Sequence, residues 1–231
     1  MISSIKTRVD QLVASVLSNG DQEYPAMSKL GQLFTADWHT RLVLAGRAYT
    51  LDLGTVAATA YTALTGNAAP DLDQPEILIA VDSGWLIPME IDINIAVDDQ
   101  DAYDDVTDIM FIVDRTAAQA AGATGTVEVP NNLLDGGDAF EGRCFSILTG
   151  GITTPVPADV LAYSNWTPIA MAAEAGGTLP AVNKNLRKKF EIPTLIAGPC
   201  QIIGYVTGTN TPTFIGSVKF AHLPSSWVTV S

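Results

Sequence analysis

The chain has 231 residues, 47% of them hydrophobic and 16% charged, which excludes the low-hydrophobicity, high-charge composition of disordered chains and fits one large β domain with a single core. Its 25 acidic against 12 basic side chains give a formal net charge of -13, which repels a polyanion at long range and excludes a general nucleic-acid binder. Charged residues are sparse and Gly, Ala and Thr abundant, as in a surface that is buried against copies of itself.

Residues 3–17 place Ile5, Val9, Leu12, Val13, Val16 and Leu17 at spacings of three and four, with Ser3 or Ser4 as N-cap and Asn19-Gly20 as a stop. This predicts an amphipathic helix that packs on the domain's own sheet or on a neighbouring subunit. The segment lacks the apolar run of a signal peptide, so nothing in it directs secretion. No stretch approaches the roughly 20 apolar residues that a helix needs to cross a bilayer. A polar linker follows, and the expected division is a helical arm and linker at 1–25 and a β-sandwich domain at 26–231.

Beyond the linker the period changes from that of a helix to that of strands. Residues 41–53 alternate loosely and are rich in β-formers, and 76–81 form a short apolar run ended by the turn signal Asp82-Ser83-Gly84. In 85–97 the odd positions Trp85, Ile87, Met89, Ile91, Ile93, Ile95 and Val97 are apolar, whereas the even ones include Pro88, Glu90, Asp92 and Asn94, which predicts a strand with one buried face. Pro88 predicts an edge or a bulge there. Further strands are expected at 107–114, 125–129, 143–149, 190–196, 201–207, 214–222 and 227–230, with a hairpin loop at Gly208-Thr209-Asn210-Thr211-Pro212. The intervals 56–73, 117–123 and 153–180 read as long loops, with short helical turns expected at 57–64 and 169–175. Many short strands bounded by Gly, Pro, Asn and Asp define an all-β chain of sandwich or jelly-roll type.

Several residue groups bear on chemistry. Cys144 and Cys200 sit in apolar, strand-like surroundings and read as buried free thiols more readily than as a disulfide. His39 and His222 lie far apart in sequence, with nothing to unite them in a metal or nucleophile site, and the common hydrolase and nucleotide motifs are absent. Glu90 and Asp92 share one strand face and form the one pair suited to a sandwich glycosidase. The acidic run Asp98, Asp99, Asp101, Asp104 and Asp105, with Asp108 beyond it, offers hard oxygen ligands to a structural Ca2+; Asp135-Gly136-Gly137-Asp138 with Glu141 offers a weaker version. Lys184, Arg187, Lys188 and Lys189 form the densest basic stretch, placed before the strand expected at 190–196; it reads as a partner for the chain's own acidic surface or as a local phosphate contact. Tyr61, Tyr103, Tyr163 and Trp166 are expected in loops, where such rings anchor a partner, hold a sugar or plug the sandwich ends.

An amphipathic N-terminal arm, then eight or more strands with long Gly, Ala, Thr and Pro loops, resembles the single jelly-roll capsid proteins of icosahedral tailless viruses and phages. The two strands flanking Asp82-Ser83-Gly84 and the closing segment Phe214-Ile215-Gly216-Ser217-Val218-Lys219-Phe220 are similar in style to those proteins. The resemblance implies a non-enzymatic virion protein made in the host cytoplasm, whose partners are copies of itself and other capsid proteins. A strongly basic arm is lacking, since only Lys6 and Arg8 precede Lys29; this tilts the expectation towards a shell lying on an internal membrane, without strong nucleic-acid binding. The rival readings are a carbohydrate-binding or adhesive β-sandwich module and the glycosidase built on Glu90 and Asp92.

Overall fold

A computed structural model of the chain describes residues 37–56, 61–97, 107–115, 123–150, 152, 159–166, 184–208 and 211–227. The expected arm at 1–25 and the helical turn at 169–175 lie outside these residues.

The first described element is a helix, α1 (Trp38–Leu44), where the β-rich composition predicted the opening of a strand. Its ends explain the difference. The Asp37 carboxylate accepts a hydrogen bond from the Thr40 amide at 2.7 Å and caps the first turn. At the other end Gly46 takes φ +67°, and the Gly46 and Arg47 amides bond back to the Val43 and Leu42 carbonyls, the paired contacts of a Schellman stop. Strand β1 (Ala48–Leu53) begins only after this stop.

The chain then runs through β2 (Thr55–Val56), β3 (Tyr61–Thr62), β4 (Leu64–Thr65), β5 (Ile77–Val81), β6 (Trp85–Val97), β7 (Thr107–Asp114), β8 (Thr124–Glu128), β9 (Asn131–Asn132) and β10 (Arg143–Gly150). It closes with β11 (Asp159–Trp166), β12 (Asn185–Lys189), β13 (Ile196–Ala197), β14 (Cys200–Gly208), β15 (Thr213–Leu223) and a 3-10 turn at Ser225–Trp227. Two antiparallel sheets result. Sheet I has the order β12-β6-β15-β1-β9, with β13 beside β6 and β4 beside β15; sheet II has the order β11-β7-β14-β5-β10-β8. A small β2-β3 ribbon completes the set.

Eight of these strands, β1, β5, β6, β7, β11, β12, β14 and β15, form a frame. Numbered one to eight in chain order, they pair as 1-8-3-6 in sheet I and 2-7-4-5 in sheet II. Successive strands mostly alternate between sheets and the last two occupy central positions, which is the jelly-roll topology. The chain therefore passes from sheet II at Gly208 to sheet I at Thr213, so β14 and β15 do not form the hairpin expected from the composition between them. The same holds at Asp82-Ser83-Gly84, where Gly84 at φ +82° lies so close to the Leu223 carbonyl that a side chain would collide with it. The segment between β7 and β11 supplies three additional strands: β10 and β8 extend sheet II beyond β5, and β9 extends sheet I beyond β1.

The core lies between the sheets. Tyr49, Leu51, Ile91, Ile93, Phe214, Val218 and Phe220 from sheet I meet Ile77, Ile79, Ile109, Phe111, Val113, Ile202 and Val206 from sheet II. A second layer covers the outside of sheet II, where Leu78, Ala80, Ile112, Ile203 and Tyr205 pack with Leu148 and Ile152. A third lies outside sheet I: Ala48, Ile87, Met89, Ala221 and Leu223 are covered by Trp38, Leu42 and Val43 of α1 and by Trp227.

The alternation predicted for β6 is real but crosses from one face to the other. Glu90 pairs with Lys219 and Pro88 with Phe220, which leaves Met89 as the extra residue of a bulge. Beyond the bulge the odd residues Ile91 and Ile93 enter the core; before it Leu86 enters the core, and Ile87 and Met89 face α1. Pro88 thus sits beside a bulge in an interior strand, in the gap between β12 and β13.

Four further expectations are corrected. The basic stretch is itself strand β12, and 190–196 contains only the start of β13. Residues 159–166, read as loop, form β11, whose period is broken by a bulge between Val160 and Ala162. Residues 61–62 and 64–65 are short strands in place of a helical turn, and Trp227 closes a 3-10 turn.

The Phe220 ring stands 5.7 Å from Tyr49 and 5.0 Å from Phe140, in the middle of the core. Phe220→Ala is expected to cost about 3–5 kcal/mol of unfolding free energy in urea denaturation, whereas exposed Val129→Ala is expected to stay within about 0.5 kcal/mol. Equal effects would mean that the core is not where these contacts place it.

Candidate functional surfaces

The outer face of sheet I carries the carboxylate pair singled out for catalysis. Glu90 Oε2 accepts from Lys219 Nζ at 2.8 Å, and Oε1 accepts from Arg187 Nε at 3.2 Å. Asp92 lies 3.7 Å from the same Arg187 nitrogen and accepts from the Asn94 amide at 3.2 Å. The Lys219 hydrogen bond, which outweighs the effect of partial burial, holds the Glu90 carboxyl below its usual range. A glycosidase acid needs the opposite shift. The chemistry of this cluster is that of an ion network that ties β12, β6 and β15 together, and it gives Arg187 the role of partner to the chain's own acidic surface.

The other cations of the basic stretch divide in two. Lys184 Nζ donates to Thr107 Oγ1 at 3.0 Å, whereas Lys188 and Lys189 are exposed and form no salt bridge among the described residues. They line the outer edge of sheet I. The opposite edge is acidic: Asp52 of β1 accepts from Thr50 and Asn131, and Asp135 and Glu141 are exposed in the segment after β9.

The acidic run from Asp98 to Asp105 lies outside the described residues. The weaker candidate loop is described and is not gathered around a cation position, since Asp138 pairs with Arg47 at 3.3 Å. Among the described residues no group of three or more His, Cys, Asp or Glu side chains is placed to hold a metal ion. Cys144 and Cys200 are buried free thiols on β10 and β14, and burial pushes Cys200 up to about 12 and Cys144 further still.

His39 stacks on Trp38 with ring centroids 3.7 Å apart, while His222 Nε2 lies 3.0 Å from the Ser83 carbonyl and its ring meets Phe140 edge-on. Each is held by its own neighbours. Tyr163 and Trp166 belong to β11 and Tyr61 to β3, not to loops; Tyr103 lies outside the described residues. The exposed Tyr163 donates its hydroxyl proton to Asp108 at 3.0 Å.

One ionisable residue was missed by sequence reasoning. Glu76 is 2% exposed at the start of β5, and its Oε2 accepts from the Val206 amide of β14 at 2.9 Å. The signal was a carboxylate adjoining the wholly apolar run Ile77 to Val81. Burial pushes its carboxyl up to about 7; the Val206 amide opposes the shift and nearby Asp71 adds to it.

A jelly-roll sandwich with charged sheet I edges and a doubly covered sheet II is thus the class that fold and surfaces define. The chain matches no family model, no curated protein and no solved structure.

The raised carboxyl sets a pH dependence. An unfolded chain releases the Glu76 proton near its ordinary value of 4.5, whereas the folded chain holds it to about 7. The contribution to stability is present below the lower value and is lost as pH rises through the higher one. Between pH 5 and pH 8 the loss is on the order of 3 kcal/mol by linkage. Glu76→Gln is expected to remove most of this slope in urea titrations at the two pH values; an unchanged slope would assign it to other groups.

Proposed function

We propose that the protein is a self-assembling structural subunit of a viral capsid, one that forms an icosahedral shell. The observation that carries this reading is the jelly-roll strand order, an architecture shared with viral capsid domains. Three features support it over an enzymatic or sugar-binding sandwich. The one carboxylate pair suited to glycoside chemistry is committed to Lys219 and Arg187. The exposed Tyr163 is engaged with Asp108 on an edge strand, and no row of exposed aromatics is found among the described residues. With only 16% charged residues, the surface desolvates readily against identical copies, and repeated modest contacts add up in a closed shell. The partners are copies of this chain and other capsid proteins, with a membrane surface beneath the shell, and the location is the virion.

Light scattering over a concentration series, followed by negative-stain imaging, is expected to show large species that resolve into closed shells. A monomer at every concentration, pH and salt level would overturn the reading. Deletion of residues 1–20 is expected to leave a folded but assembly-defective protein; normal assembly of the truncated chain would remove the arm from the mechanism.

A further inference from the structure

Resting on that reading, we propose that neighbouring copies dock head to tail through sheet I, the basic edge strand β12 of one copy lying against the acidic β1 and β9 edge of the next. The argument begins with charge. A chain of net charge -13 repels its own copies, so a contact that forms must set its few cations against anions. Most of the cations among the described residues are already spent. Arg47, Arg115, Arg143, Arg187 and Lys219 form salt bridges within the chain, and Lys184 donates to Thr107. Lys188 and Lys189 remain exposed without such a bridge among the described residues, consecutive on one edge strand and directed to its two faces. At the far edge of the same sheet Asp52 meets, among the described residues, the neutral donors Thr50 and Asn131, and Asp135 and Glu141 stand exposed beyond β9.

Position makes these two groups complementary between copies and not within one. β12 and the β1-β9 pair are separated by β6 and β15, a width of roughly 14 Å at the usual strand spacing, so they cannot meet in one chain. Because both edges belong to one sheet, a lateral neighbour brings them together at the same level. The surfaces differ, so the contact is heterologous, and a rotation between copies closes it into a ring. The odd residues of β12 add to the fit. Lys184 and Phe190 bond across to Ile95 and Met89 of β6, which turns the amides and carbonyls of Asn185, Arg187 and Lys189 to the outer edge.

The test is charge reversal and its compensation in the full chain. Lys188→Glu with Lys189→Glu, and separately Asp52→Lys with Asp135→Lys, are each expected to raise the protein concentration at which assembly begins by about tenfold or more at 0.1 M salt. A chain that carries all four substitutions is expected to recover assembly, since every like-charge contact becomes an attraction again. Circular dichroism melting checks that each variant is folded.

The inference is overturned if either double variant assembles like its parent or if the fourfold variant stays defective. Lysines on an edge strand also deter unwanted strand pairing. That role alone predicts normal assembly of the lysine variant and so counts against the proposal. A parent chain that never assembles defeats the capsid reading itself, whereas a parent that assembles without regard to these charges defeats only the docking mode.

Discussion

The ladder between β6 and β15 is the constraint on which the rest depends. It runs from Thr213 opposite Val97 to Leu223 opposite Trp85, and it joins a strand early in the domain to the last long strand. β15 also holds β1 on its other side, and β6 holds β12 and β13. Sheet I therefore has no centre until the C-terminal strand arrives. The same is true of sheet II, in which β14 is inserted between β7 and β5. Closing contacts of such sequence separation costs chain entropy before it is repaid by burial, which places the fold among slowly forming topologies.

The bulge at Met89 shows how one residue reorganises both faces of that ladder. Without it, Ile87 and Met89 would enter the core with Ile91 and Ile93; with it they turn outward and create an apolar patch on the wrong side of the sheet. Helix α1 exists to cover this patch, together with Trp227, and the Trp38 indole donates to the Glu191 carbonyl at 2.9 Å to fix its position. The bulge, the helix and the aromatic cover are one solution to one problem of parity.

Legibility in the sequence follows from how far each element is specified locally. β5, β6, β7, β10, β14 and β15 were read within a residue or two because their apolar runs are bounded by turn residues and buried on at least one face. β12 was hidden because only Leu186 of its five residues is buried, and its remaining side chains are chosen by Glu90, Asp92 and solvent. The bulge in β11 shifted the phase of its alternation, so no period of two was visible. For α1 the caps Asp37 and Gly46 were present in the sequence, but the β-formers between them outweighed the signal. The carboxylate pair was legible as residues on one face, whereas its neutralisation depends on Lys219, 129 positions from Glu90, which no local pattern contains.

The placement of charge within each sheet follows from the same architecture. All five residues of β5 and all nine of β14 are buried, because sheet II has the core on one side and Leu148, Ile152 and their neighbours on the other. A strand buried on both faces has no place for an ionised group: Glu76, just before β5, is displaced in its titration as a result, and the buried Asp114 at the end of β7 accepts from Gln201 of β14. The middle of sheet II is thereby closed to charge, whereas on sheet I the outer face away from α1 is solvated and Glu90, Asp92, Arg187 and Lys219 alternate in sign across three strands. Pairing in the middle of that face neutralises it. Among the described residues Lys188 and Lys189 at one rim and Asp52 at the other stay outside that network, so the two rims carry opposite signs.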